Sequence, residues 1–290
     1  MSSENLNLIN GEKLVSPLIT ADELNNIIGE PNVKIFDVRG IWGTKPTSLY
    51  HEYVEGHIPT AKFLDWRKEF IEKDVVPSLA QISSLKEAKQ SFRDLGIDKE
   101  DKIILYDNYQ HMFAGRIWWA MRYWGFGNVQ VLNGGFNYWQ EQGFSVSKKI
   151  AKTAKGTFDP KPQYHLRKSL EDFIAEKGNS CVLDGRGKAG YNGKSDDPRT
   201  GHIPGAISAA YNSFLDKNTG LFLETPEITE LFNRTIPYWQ TKKIICSCGS
   251  GYSGTIAMLA LASLGIESSL FDGSFSVWKL DPARPIVQSL

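Results

Sequence analysis

The feature that most constrains the fold is that the chain is written twice. Thr20-Ala-Asp-Glu23 reads as a helix-opening capping box, and Ser169-Leu-Glu-Asp172 is a weaker version of the same signal. Each is followed by a short apolar strand ending in an acid and an arginine, Ile35-Phe-Asp37-Val-Arg39 and Val182-Leu-Asp184-Gly-Arg186. The same turn comes next, Gly56-His57-Ile58-Pro59 and Gly201-His202-Ile203-Pro204. A second strand, Lys102-Ile-Ile-Leu-Tyr106 against Lys243-Ile-Ile-Cys-Ser247, leads to an aromatic closing turn. That turn is Leu132-Asn-Gly-Gly-Phe136 with Trp139 in one copy and Phe271-Asp-Gly-Ser-Phe275 with Trp278 in the other. The separations drift one way: 149 residues for Thr20 and Ser169, 147 for Asp37 and Asp184, 145 for His57 and His202, 141 for Ile104 and Ile245, 139 for Trp139 and Trp278. Five matches in one order, with small losses of loop between them, describe a duplicated domain.

At about 150 residues per domain, 290 residues leave room for two. The expected division is a first domain over 1–146, a polar, lysine-bearing linker over 147–163, and a second domain over 164–290. Strands alternating with helices predict an α/β fold, each domain a parallel sheet with helices on both faces. Lys+Arg and Asp+Glu are 33 each, so the net charge is zero, which argues against nucleic acid or an acidic membrane as the main partner. The N-terminus lacks the basic and apolar regions of a secretory leader, and the longest apolar stretch, Ile256 to Ile266, is too short to span a bilayer. A cytoplasmic protein is expected. Three cysteines do not make a disulfide scaffold, and Cys246-x-Cys248 has no second ligand pair, so no metal is expected.

In parallel sheets, ligands sit at the carboxyl ends of the strands. After Lys243–Ser247 the chain reads Cys248-Gly249-Ser250-Gly251-Tyr252-Ser253-Gly254, then a helix ending before Gly265. A cysteine entering a glycine-rich loop at a helix N-terminus meets inward-turned N–H groups and the positive end of the helix dipole, a setting that favours a thiolate. In the first copy Asp107 stands where Cys248 does, followed by Asn108-Tyr-Gln-His-Met-Phe113 with neither glycine nor thiol. One half can therefore carry the chemistry and the other is expected to be a scaffold. Cys181 and Cys246 read as buried hydrophobes. Arg39 and Arg186, and His57 and His202, recur in both halves, which favours structural roles.

These motifs together resemble the tandem-domain sulfurtransferases of the rhodanese superfamily over nearly the whole chain. Cys-Gly-Ser-Gly is similar to the 3-mercaptopyruvate branch; the thiosulfate branch carries basic residues just after the cysteine. The resemblance implies a Cys248 persulfide, no cofactor, a small-molecule sulfur donor, and a thiol, thioredoxin-like or cyanide acceptor. It implies a proton relay through Ser250 and His57, with Gly249, Gly251, Tyr252 and Ser253 forming the loop around the substrate. Arg199, in Pro198-Arg199, matches a family arginine that binds the substrate, and Arg186 is retained as a second substrate contact. The other family arginine falls on Gly190, leaving Lys188 or Lys194 as substitute cations, and Tyr252-Ser253 replaces the usual Val-Thr. The alternatives are a thiosulfate:cyanide sulfurtransferase, or a non-catalytic persulfide carrier. A cysteine phosphatase would need an arginine six residues after Cys248, where Gly254 stands.

Overall fold

Short Val/Ile/Leu runs flanked by polar turns give strands buried on both faces, as parallel sheets require. The computed structural model describes residues 16–43, 45–72, 80–152, 154–236 and 239–289, preceded by the short strands Leu8–Ile9 and Glu12–Lys13. Most of the N-terminal stretch read above for a leader lies outside these residues, as does Thr153 of the expected linker. The first half runs β1 (Leu18–Ile19), α1 (Ala21–Ile27), β2 (Val33–Asp37), α2 (Tyr50–Glu55), β3 (Lys62–Phe63), α3 (Leu85–Leu95), β4 (Lys102–Tyr106), α4 (Met112–Tyr123), β5 (Val129–Leu132) and α5 (Gly135–Glu141). The second repeats it: β6 (Arg167–Lys168), α6 (Leu170–Glu176), β7 (Cys181–Asp184), α7 (Lys188–Asn192), β8 (Ile207–Ser208), α8 (Thr225–Thr235), β9 (Ile244–Ser247), α9 (Gly254–Ser263), β10 (Ser269–Phe271) and α10 (Ser274–Trp278).

The sheet orders are β1-β5-β4-β2-β3 and β6-β10-β9-β7-β8, so the topology is the same twice, and every pairing within both sheets is parallel. The register repeats as well: Leu18 pairs with Val131 as Arg167 pairs with Leu270. Both expected capping boxes form, at Thr20 and at Ser169. Helix α4 begins at Met112, where the Asp107 carboxylate takes the N–H groups of Phe113 and Ala114 and caps the first turn.

The halves meet across a near-symmetric seam. Asn133 Oδ1 accepts the Phe222 N–H at 2.8 Å, and its counterpart Asp272 accepts the Ile82 N–H through Oδ2, also at 2.8 Å. Helices α4 and α9 cross so closely that a Cβ on Gly115 would lie 2.6 Å from Thr255 Oγ1. Trp119 donates its indole N–H to the Leu166 carbonyl of the second half at 2.9 Å, which places the aromatic stripe of α4 in inter-domain packing. One apolar cluster is continuous from Phe36, Trp66 and Phe113 to Tyr252, Leu259 and Leu270. Helix α9 (GTIAMLALAS) has no charged residue because it is buried on nearly every side. Residues after Ser147 run over the first half: Phe158 packs on Phe92 and Phe126, and the Gln163 N–H reaches the Tyr123 carbonyl at 2.6 Å. Among the described residues no helix is long and apolar enough to cross a membrane.

Candidate active site

Cys248 follows β9 directly and is only 1% exposed. Gly251, at φ +92°, turns its N–H back to donate to Cys248 Sγ at 3.1 Å. That φ is in the left-handed region, open to glycine at little cost. The Ser274 hydroxyl reaches the same sulfur at 3.9 Å while bonding the Phe271 carbonyl at 2.8 Å. Ser274 is itself held at φ +52°, unusual for a residue with a side chain, by the turn that opens α10. The Cys248 carbonyl accepts the Phe275 N–H at 3.0 Å and the Gly249 carbonyl the Ser276 N–H at 2.8 Å, so the closing turn braces the cysteine loop. Helix α9 begins at Gly254 and directs its positive end toward this loop. Burial pushes the Cys246 thiol up to about 12 and raises that of Cys181 as well. Both stay protonated at neutral pH.

In front of Gly249 lies a cavity of about 360 Å³ with Arg186, Lys194, Arg199, Lys279 and Phe275 in its lining. Arg186 is paired with Asp184, with Nη2 at 2.6 Å from Oδ2, and it also bonds the Gly201 carbonyl at 2.7 Å and lies over the Phe275 ring. Arg39 does the same in the first half, with Asp37, the Gly56 carbonyl and Phe136. The repeated Asp-x-Arg…Gly-His motif is thus one structural clamp built twice, and Arg186 touches the cavity while serving that clamp. Arg199 differs from the expectation of a free anion clamp. Its Nη1 and Nη2 are directed at the carbonyls of Lys279, Asp281 and Arg284, at 2.9 to 3.0 Å, tying down the turn after α10. Carbonyls just beyond a helix C-terminus carry partial negative charge, so a guanidinium is held there. Arg199→Ala is accordingly expected to cost about 1–2 kcal/mol of stability in urea unfolding, the worth of a few partly exposed charged hydrogen bonds.

His57, expected in a relay, sits in the first half's own clamp. Its Nδ1 lies 2.7 Å from the Tyr53 carbonyl and its Nε2 3.2 Å from the Lys149 carbonyl, with the ring stacked on Tyr53. His202 repeats the arrangement with Tyr191. Both His57 nitrogens are occupied by backbone, and neither meets the cysteine loop. Ser250 is buried and makes no hydrogen bond to Cys248 Sγ. The donor to the sulfur is instead the Gly251 N–H, with the Ser274 hydroxyl oxygen in contact at 3.9 Å and its hydrogen given to the Phe271 carbonyl. Ser253 forms the entry to α9. Tyr252 turns away from the cavity into the seam, against Trp42, Trp66 and Phe113. Its hydroxyl is buried without a partner, and burial raises its pKa.

The first half has a loop at the matching place, and it is filled. The Asp107 carbonyl accepts the Phe136 N–H at 2.8 Å, as the Cys248 carbonyl accepts that of Phe275, confirming the alignment of the two positions. The Asp107 carboxylate takes four backbone N–H groups: Tyr109 and His111 on Oδ1, Phe113 and Ala114 on Oδ2, all at 2.9 to 3.0 Å. The loop has neither glycine nor thiol, as the sequence reads, yet its backbone N–H groups still converge. The cradle exists without glycine and holds the chain's own anion.

A rhodanese-like domain model matches residues 20–142 and again 166–281. The chain belongs to the rhodanese family. Among curated relatives, 3-mercaptopyruvate sulfurtransferase of Escherichia coli is 29% identical over 277 residues, covering 92% of this chain and 96% of that one. The mitochondrial thiosulfate/3-mercaptopyruvate sulfurtransferase 1 of Arabidopsis thaliana is 29% identical over 298 residues, covering 93% of this chain and 78% of that one. The crystal structure of SseA from Escherichia coli, a 3-mercaptopyruvate sulfurtransferase, superposes with a TM-score of 0.79 at 28% identity, over 90% of this chain and 99% of that one.

Sequence reasoning missed Ser274, Asp272 and Lys279. The first two were visible as a contrast: the closing turn reads Asn133-Gly-Gly135 in the filled half and Asp272-Gly-Ser274 in the half with the thiol. Nothing in the sequence singled out Lys279.

Proposed function

We propose that this protein is a sulfurtransferase that takes sulfur from 3-mercaptopyruvate onto Cys248 and passes it to a thiol, small or protein-borne, or to cyanide. The observation that carries this reading is the Cys248 sulfur in a donor cradle beside a cation-lined cavity, in a chain similar end to end to proteins of that name. The Cys248 thiolate attacks the donor's sulfur. The sulfur–carbon bond breaks, its electron pair goes to the carbon as the enolate of pyruvate, and the proton of the new persulfide moves to that carbon. The products are pyruvate and Cys248–S–S⁻. A thiolate or cyanide then attacks the outer sulfur, leaves with it as persulfide or thiocyanate, and returns the Cys248 thiolate, so the cycle needs no oxidant. Two half-reactions through a covalent enzyme give ping-pong kinetics. The Gly251 N–H bonds the sulfur, the Ser274 hydroxyl stands 3.9 Å from it, and the Gly249 face of the loop opens on the cavity.

The donor's carboxylate needs a cation. Lys194 and Lys279 line the cavity, and neither ammonium has an ion pair or hydrogen bond among the described residues. They take the carboxylate in place of the family arginine that falls on Gly190. The direct test is kcat/KM for 3-mercaptopyruvate and thiosulfate side by side, with cyanide as acceptor. A preference for mercaptopyruvate supports the reading, a preference for thiosulfate replaces the donor, and no turnover with either favours a carrier of protein-borne sulfur.

Gly190 supplies a gain-of-function check. It lies in α7, and a Cβ there would meet only the Arg186 side chain, at 3.5 and 3.7 Å, which is ordinary contact. Gly190→Arg is therefore expected to fold and to lower the mercaptopyruvate KM about tenfold with kcat nearly unchanged, since the new fork binds ground and transition states alike. Steady-state kinetics with an unchanged KM would remove the carboxylate from this part of the cavity.

A further inference from the structure

The first half contributes a charge to the second half's loop. Arg116, on α4, is 0% exposed. Its Nη1 donates to Asp272 Oδ1 at 2.9 Å and approaches the Gly251 carbonyl at 3.4 Å. It lies so close that a Cβ on Gly251 would be 2.8 Å from it. Its Nε and Nη2 are buried with no hydrogen-bond partner, facing only the rings of Trp119 and, farther off, Tyr252. Asp272 is also fully buried and takes Arg167 Nε at 2.9 Å and the Ile82 N–H at 2.8 Å. Two guanidinium groups thus share one carboxylate, and the cluster holds one positive charge in excess. Tyr252 and Tyr123, the tyrosines beside this cluster, are kept neutral by burial, and the Asp65 carboxylate beyond Tyr252 is engaged by Ser48 and Arg67.

A buried cation with unmet donors is costly unless an anion stands near it. The nearest element is the loop whose Gly251 N–H donates to Cys248 Sγ, and the cluster's carboxylate is two residues from Ser274, which also reaches that sulfur. The arrangement has no mirror image. Helix α9, the second half's counterpart of α4, carries no charged residue, and the first half's anion is satisfied by its own backbone. The half without a thiol lends a charge to the half that has one.

We infer that Arg116 is a positioning residue for sulfur transfer: it fixes Gly251 and, with Asp272 and Arg167, places an excess positive charge behind the loop that favours the anionic sulfur of Cys248. This rests on Cys248 as the nucleophile but on no particular donor.

The test is alkylation of Cys248 by iodoacetamide in the full chain at pH 7, followed by peptide mapping, because it requires neither donor nor acceptor. Arg116→Gln is expected to slow it about tenfold, the scale of one unit charge a few residues away in a protein interior. Arg116→Lys should recover most of the rate. Asp272→Asn increases the excess charge and should equal or exceed the wild-type rate. A purely structural ion pair predicts instead that Asp272→Asn falls together with Arg116→Gln, and that result, or an unchanged rate in Arg116→Gln, overturns the inference. If Arg116→Gln does not fold, the Asp272→Asn rate decides alone. In turnover, Arg116→Gln should lower kcat and leave the donor KM in place, since Arg116 is outside the cavity lining, and Arg116→Lys should restore kcat. Failure of every donor with alkylation as expected would count against the donor assignment and not against Arg116.

Discussion

Cys248→Ser is expected to abolish sulfur transfer, by at least about 10⁴-fold in kcat, while shifting unfolding by no more than about 1 kcal/mol. The two effects separate because the replacement nearly conserves shape and hydrogen bonding but not chemistry. A hydroxyl at this position can accept the Gly251 N–H and meet the Ser274 hydroxyl as the sulfur does. It cannot form a persulfide, and an alkoxide is out of reach at neutral pH. The measurements are thiocyanate release for turnover, the intact mass after donor treatment for the added sulfur atom, and urea unfolding for stability. Persistent turnover would place the nucleophile elsewhere. Cys246 is a poor substitute because it is fully buried in β9 with its thiol pushed up to about 12.

Much of this site is legible in the sequence, for a physical reason. A thiol at the end of a buried strand, followed by small residues and a helix, is a local arrangement, and local arrangements are written in consecutive residues. The duplication, the sheet class, the capping boxes and the Asp107/Cys248 correspondence belong to the same kind. The contacts of the remaining candidate residues depend on what lies across space. Arg199 fits an anion clamp by position, yet it is held by carbonyls some 80 residues away, which no spacing rule anticipates. His57 and Arg186 recur in both halves, and their shared clamp is the structural reason for the recurrence. Tyr252 departs from its family's usual residue because its ring fills a seam with Trp42 and Trp66 from the other half. Arg116 was invisible for the same reason, since its partners Gly251 and Asp272 belong to the second copy.

The Asp107 loop yields the largest effect expected on stability. Asp107→Ala removes an acceptor that satisfies four backbone N–H groups within a 2%-exposed site. Each buried donor left unmet costs roughly 1–3 kcal/mol, less where water can enter, so a loss on the order of 4 kcal/mol is expected from urea unfolding. Asp107→Asn should be intermediate. Its carbonyl can still serve one pair of N–H groups, but its amide presents hydrogens to the other pair. Asp107→Cys should not yield a second active site, although N–H groups converge on this position. The four donors are set around two carboxylate oxygens one bond farther out than a sulfur on Cβ, and two of them belong to the first turn of α4. A single sulfur leaves at least part of that set unmet, so the variant should lose stability and form no persulfide at position 107 when treated with donor. Peptide mapping of the Asp107→Cys, Cys248→Ser double variant reads this directly. A persulfide at position 107 would mean that an N–H cradle alone suffices for the chemistry, without the flanking glycines and without the excess charge that Arg116 and Arg167 place behind the other loop.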